Sequence, residues 1–153
     1  MTKEILIQYS DVAEEVKDIR KRIEKIKAEL HSIDIVSDSV KGTRLDGTYG
    51  SIKITGYPTP RWVRKIAALD RNKELLEKKE VELLELMAQA EEYIESIPKS
   101  ELRTMFRLYY IDGKTWTQVA HRMNDIFTKR MNPYTEDNCR KRNERFFEKD
   151  KMC

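Results

Sequence analysis

Near the end of this 153-residue chain four basic side chains stand together, Arg140, Lys141, Arg142 and Arg145. A guanidinium is planar and always charged, so it can grip a phosphate or a guanine edge with two parallel hydrogen bonds. Asn138 sits beside them, and Lys129 and Arg130 lie a short distance upstream, able to reach phosphate or simply to be solvated. This chemistry is binding, not bond-making. The chain has no Gly-rich phosphate loop and no nucleophile elbow. His31 and His121 are isolated, and Cys139 and Cys153 follow no ligand or disulfide spacing. The sequence therefore indicates no enzyme, no catalytic residue, no metal and no cofactor. Charge is uneven along the chain. From Lys99 onward 13 Lys/Arg face 8 Asp/Glu, a net of +5, and the remainder carries 17 against 19, a net of −2. A basic end on a slightly acidic body points to a polyanion partner there.

To read a duplex, such side chains need a short rigid helix seated on others. Pro98 closes one helical stretch and Ser100 is a good N-cap for the next, Ser100 to Ile111, with Leu102, Met105, Phe106, Tyr109 and Tyr110 as its inner side. Asp112-Gly113 stops it, with Gly113 suited to a left-handed backbone. Thr115 caps a second helix from Trp116 to Met123, on which Trp116, Val119, Ala120 and Met123 share one face. Thr135 caps a third, Glu136 to Lys149, with Cys139, Asn143, Phe146 and Phe147 inward. Trp116, Phe146 and Phe147 read as core residues, and Cys139 as a small buried one. Ten residues, Asp125 to Tyr134, separate the last two helices, where a tight turn has about three. They either lengthen the second helix through Lys129 and Arg130 or reposition the third.

The first two-thirds is an arm. Ile5, Tyr9, Val12, Val16, Ile19, Ile23, Ile26, Leu30 and Ile33 recur at alternating spacings of four and three, the repeat of a left-handed coiled-coil seam. A second stripe runs through Trp62, Ile66, Leu69, Leu76, Leu83, Met87, Ala90, Ile94 and Ile97, with Lys73 and Glu80 as polar defects. Packing one stripe on the other as an antiparallel hairpin buries both, and dimerisation does so equally well. Between them, residues 36–60 hold four of the five glycines and two prolines and so cannot be one helix. Ser51 to Thr55 alternates polar and apolar, which leaves a small β-element or disorder open. The expected fold is all-α: a long antiparallel helical hairpin over 1–97 with an irregular loop at 36–60, then a helix-turn-helix domain over 98–153. No apolar run approaches the ~20 residues that span a bilayer, and Met1 to Ile5 lacks a signal-peptide core, so a cytoplasmic protein is expected.

The stretch from Leu102 through Phe106-Arg-Leu-Tyr-Tyr-Ile-Asp-Gly-Lys-Thr-Trp116 to Val119-Ala120 resembles the start of sigma factor region four. It is more similar still to small phage-encoded late transcriptional regulators of the ArpU and RinA type, which share a Ser-Asp-Ser-Val-Lys-Gly stretch, here Ser37 to Gly42. The resemblance implies a helix-turn-helix that docks on DNA, with Glu136, Asp137 and Lys141 facing bases and Arg140 on phosphate. Arg142 departs from the pattern, which usually has an apolar residue there. Acidic Glu136 and Asp137 suit cytosine edges or the positive end of the helix dipole.

The sequence is thus read as a sequence-specific, DNA-binding transcriptional regulator of phage or prophage type. Double-stranded DNA is its expected partner, RNA polymerase a further candidate, and a homodimer through the arm its expected assembly, with no membrane. The expected DNA contacts are Lys129, Arg130, Glu136, Asp137, Asn138, Arg140, Lys141, Arg142 and Arg145. Two alternatives stand beside it: a DNA-packaging subunit similar to a small terminase, and a coiled-coil interaction protein without nucleic acid.

Overall fold

The computed structural model describes residues 3–32, 36–43, 45–56 and 59–152. The fold is all-α apart from one hairpin. Its elements are α1 (Lys3–His31), β1 (Val36–Thr43), β2 (Tyr49–Gly56), α2 (Thr59–Glu95), α3 (Ser100–Phe106) with a π-helical continuation Arg107–Ile111, α4 (Trp116–Ile126) and α5 (Glu136–Asp150). Contacts divide the chain into two compact units, Lys17–Lys78, and Met1–Val16 with Lys79–Cys153. Ile33 and Cys153, noted above for the stripe and for its thiol, lie outside the described residues. No described helix is long and apolar enough to cross a membrane.

In the unit Lys17–Lys78, α1 and α2 run antiparallel. Ile19, Ile23 and Leu69 are buried, with Ile26, Leu30 and Leu76 packed against them. Lys65 of α2 pairs with Glu29 of α1 beside this strip. The connection is the β-element that the alternation at 51–55 allowed. β1 and β2 pair antiparallel from Val36↔Gly56 to Thr43↔Tyr49. Gly47 makes the turn at φ +84°, where a side chain would be strained. Asp46 fixes it by accepting hydrogen bonds from the Thr48 hydroxyl (2.6 Å) and amide (3.0 Å), which hold its carboxyl below the ordinary carboxylate range.

In the other unit the ends of the same two helices join α3, α4 and α5. Leu6, Tyr9, Val12 and Val16 of α1 are buried, as are Leu86, Ala90, Tyr93 and Ile94 of α2. Two positions differ from the heptad reading. Leu6 is fully buried where Ile5 was expected, and Leu86 is 7% exposed while Met87 is 38% exposed. The cause is that these ends serve two neighbours. The Ser10 hydroxyl donates to the Tyr110 carbonyl (3.1 Å), and the Tyr93 hydroxyl donates to Asp150 (3.3 Å), so the buried face widens beyond one seam. Arg107 clasps Glu91 and Glu95 on the last turns of α2.

Candidate nucleic-acid interface

Backbone signals fix the helices that could carry an interface. Thr115 caps α4 reciprocally: its hydroxyl accepts from the Gln118 amide, and the Gln118 side chain accepts from the Thr115 amide. Thr135 caps α5, accepting from the Asn138 amide at 3.3 Å. Gly113 turns the chain at φ +64°. The first helix differs at both ends from the sequence reading. Its N-cap is Lys99, whose carbonyl accepts from the Leu102 and Arg103 amides (both 3.1 Å), so Ser100 lies inside the helix. At the other end the Asp112 amide reaches back five residues to the Arg107 carbonyl (2.9 Å). That widened turn rotates Leu108 into the core beside Met105, Phe106 and Tyr110 and leaves Tyr109 only half-buried. Tyr109 instead stacks on Trp116, ring centroids 3.8 Å apart.

Phe106 is the hub. It is fully buried, and its ring meets Tyr110, Phe146 and Phe147 at centroid distances of 6.0, 5.2 and 5.3 Å. Val119, Ala120 and Met123 of α4 and Cys139 and Phe147 of α5 complete the core. Asn143 is a buried polar residue satisfied by the Tyr110 hydroxyl, which donates to it at 3.0 Å. Burial lifts the Tyr110 hydroxyl to about 12, and burial likewise raises the Cys139 thiol.

The long connection after α4 lengthens that helix only to Ile126, short of Lys129 and Arg130. Its fixed point is Asn124, whose amide group closes a two-bond ring with the backbone of Tyr134. It accepts from the Tyr134 N–H at 2.7 Å and donates to the Tyr134 carbonyl at 2.9 Å. Tyr134 is 4% exposed. Beyond it lies Glu101 of α3, which pairs with both Arg130 and Arg142. The Arg142 guanidinium also covers the Tyr134 ring, 5.1 Å from its centroid. Burial works to raise the Glu101 carboxyl, but the facing Tyr134 hydroxyl and the two guanidiniums outweigh it and hold the group below its ordinary range. Burial first, then the hydrogen bond to Glu101 and its charge, pushes the Tyr134 hydroxyl up.

The nine expected contact residues therefore separate into groups. Arg130 and Arg142 meet at Glu101. Glu136 accepts from the Thr117 hydroxyl of α4 at 3.0 Å. The Asn138 side chain donates to the Pro133 carbonyl at 3.2 Å, tying α5 to its own lead-in. Asp137 pairs with Arg140 (3.1 Å) and Lys141 (2.6 Å) on the first exposed turns of α5, and the Lys141 hydrogen bond holds its carboxyl low. Lys129 and Arg145 are exposed and have no ion-pair partner among the described residues. Because Cys139, Asn143 and Phe147 face inward, the opposite face of α5 carries Asp137, Lys141, Arg145 and Glu148. Three of the helix's five basic residues, Arg142, Arg145 and Lys149, gather on one side. There they border a cleft of about 510 Å³ between α3 and α5, with Leu102 and Phe146 as apolar lining. Sequence spacing missed Glu101, Asn124 and Tyr134, since each acts across the fold. Among the described residues, no group of three or more His, Cys, Asp or Glu side chains could hold a metal ion.

No family model matches the chain, and no solved structure matches it. Among curated proteins it is similar to peptide chain release factor 1 of Helicobacter pylori, 36% identical over 98 residues in one strain and 35% in another. The same protein of Helicobacter acinonychis is 34% identical over 98 residues. Each match covers 64% of this chain and 27% of the relative, so the chain spans about a quarter of these relatives' length. A stretch of 98 in 153 residues necessarily includes residues 56–98, and with them all of α2.

Proposed function

We propose that this chain is a cytoplasmic, sequence-specific DNA-binding regulator of transcription, of the phage or prophage type. The α3–α5 domain docks on duplex DNA through α5 and the loop before it. The observation that carries the reading is the seating of α5. It is capped by Thr135, anchored by Cys139, Asn143 and Phe147, and left with its polar side open beside α4. Arg142, Arg145 and Lys149 on its flank, with Lys129 and Arg130 on the loop, supply cations for phosphates. Arg140 and Lys141 on its first turns, each paired with Asp137, support groove contacts. The central face of α5 is mixed in charge, so affinity comes from the flank and the loop, and discrimination from the first turns. The arm provides the assembly surface: Val81 and Leu84 of α2 are 58% and 67% exposed, an apolar edge suited to a second copy or to RNA polymerase.

The release-factor likeness covers too little of those proteins to carry their activity here. The test is fluorescence anisotropy with a labelled random duplex at low and moderate salt. Binding that weakens steeply with salt, and weakens again in Arg140→Ala and Lys141→Ala, is the expected result. Salt-independent or absent binding, or full affinity in both variants, refutes the reading and leaves an interaction protein. Large rings in light scattering, in place of a dimer, favour a DNA-packaging subunit.

A further inference from the structure

Two guanidiniums from separate parts of the chain, Arg130 on the loop and Arg142 on α5, converge on the two oxygens of one carboxylate, Glu101. That is the arrangement by which proteins hold a phosphate. The third wall is Tyr134, more than nine-tenths buried beneath Arg142, with its hydroxyl facing Glu101. A carboxylate fills this place incompletely. A phosphate carries further oxygens, enough to accept from both guanidiniums and from the Tyr134 hydroxyl at once. Glu101 is 17% exposed and the arginines 53% and 43%, so the pair is reachable from solvent on the side away from Tyr134.

We infer that Arg130, Arg142 and Tyr134 form a phosphate-binding site whose internal occupant is Glu101, displaced when a backbone phosphate of duplex DNA arrives. The identity of the phosphate's carrier rests on the DNA reading above; the site itself rests on the convergence of the three side chains. In the free protein Glu101 cancels one of the two positive charges and occupies both guanidiniums, which lowers affinity for duplexes at large and favours one in which the rest of α5 is well seated. The full charge of the two arginines is thus offered only when docking is complete.

The experiment compares wild type with Glu101→Gln, an isosteric change that removes the competing charge, using two probes. With a labelled random duplex, Glu101→Gln binds about tenfold tighter, and its log-affinity falls more steeply with log-salt by about 0.9 for the added phosphate. With inorganic phosphate at matched ionic strength, the melting temperature of Glu101→Gln rises with concentration and that of wild type does not. A phosphate response without duplex binding by either protein keeps the anion site and removes the DNA reading. Equal duplex affinity and equal phosphate response in the two proteins overturn the inference while leaving the DNA reading standing. Arg130→Gln on the exposed loop covers the case in which Glu101→Gln fails to fold. It weakens duplex binding several-fold if the site takes a phosphate, and unchanged affinity overturns the proposal.

Discussion

Asn124→Ala isolates what holds α5 in place. The native side chain makes two hydrogen bonds to the backbone of Tyr134, at 2.7 and 2.9 Å, one residue before the cap of α5. Each bond is worth about 1 kcal/mol net, and an abandoned backbone group costs more where water cannot replace the partner. Asn124 is only half-buried, so water recovers part of the loss, and the sum is about 2 kcal/mol. For a chain of this size that lowers the melting temperature by roughly 4–8 °C. It also speeds hydrogen exchange at the Tyr134 amide by about 30-fold where exchange proceeds through local opening. Asn124→Asp keeps the acceptor for the Tyr134 N–H and loses the donor, so it falls about halfway. The assays are thermal denaturation by circular dichroism and amide exchange by mass spectrometry. An alanine variant indistinguishable from wild type in both would show that the loop is held by its other contacts and that Asn124 is incidental.

Further perturbations follow from particular residues. Burial raises Tyr93 and Tyr110 to about 12 each, so the stability they contribute is fully present below the ordinary value of 10. It is lost between pH 10 and about 12, where the unfolded chain ionises first, and an absorbance titration should find both phenols ionising late. Tyr110→Phe lessens that alkaline loss but costs about 1–2 kcal/mol at neutral pH, because the buried Asn143 loses its donor. Glu101 behaves oppositely: its carboxyl lies below the ordinary 4.5 in the folded protein, so its contribution is present above that pH and fades as pH falls through the depressed value. The acid limb of the melting curve should flatten in Glu101→Gln. Gly113→Ala costs about 1–2 kcal/mol through its φ of +64° alone, since no atom lies near enough to clash; a urea midpoint equal to wild type would contradict that.

What the sequence disclosed was local. Thr115, Thr135 and Gly113 announce helix ends through chemistry carried within a few residues, and all three stand where that chemistry puts them. Residues 51–55 alternate over too short a run to separate a strand from disorder, and the pairing with 36–43 that decides it is not local. Leu108 was hidden because a π-helical turn shifts the inward face, and no residue type marks such a turn. The heptad stripes located α1 and α2 but misplaced Leu6 and Leu86, since a second layer of neighbours turns the buried face. For the candidate interface, the basic residues were visible and their roles were not. That Arg142 faces Glu101, 41 residues away, is a property of tertiary packing, as is the ring between Asn124 and Tyr134.

The central claim is that α5 and the loop before it dock on duplex DNA. The most direct measurement is a titration of isotope-labelled protein with a duplex selected from a random pool, followed by amide chemical shifts. Perturbations concentrated at Lys129, Arg130 and residues 135–145, shrinking as salt is raised, are the expected result. Failure of the pool to enrich any sequence, or shifts confined to the hairpin tip around Leu45 and Tyr49 or to the exposed edge of α2, would contradict it.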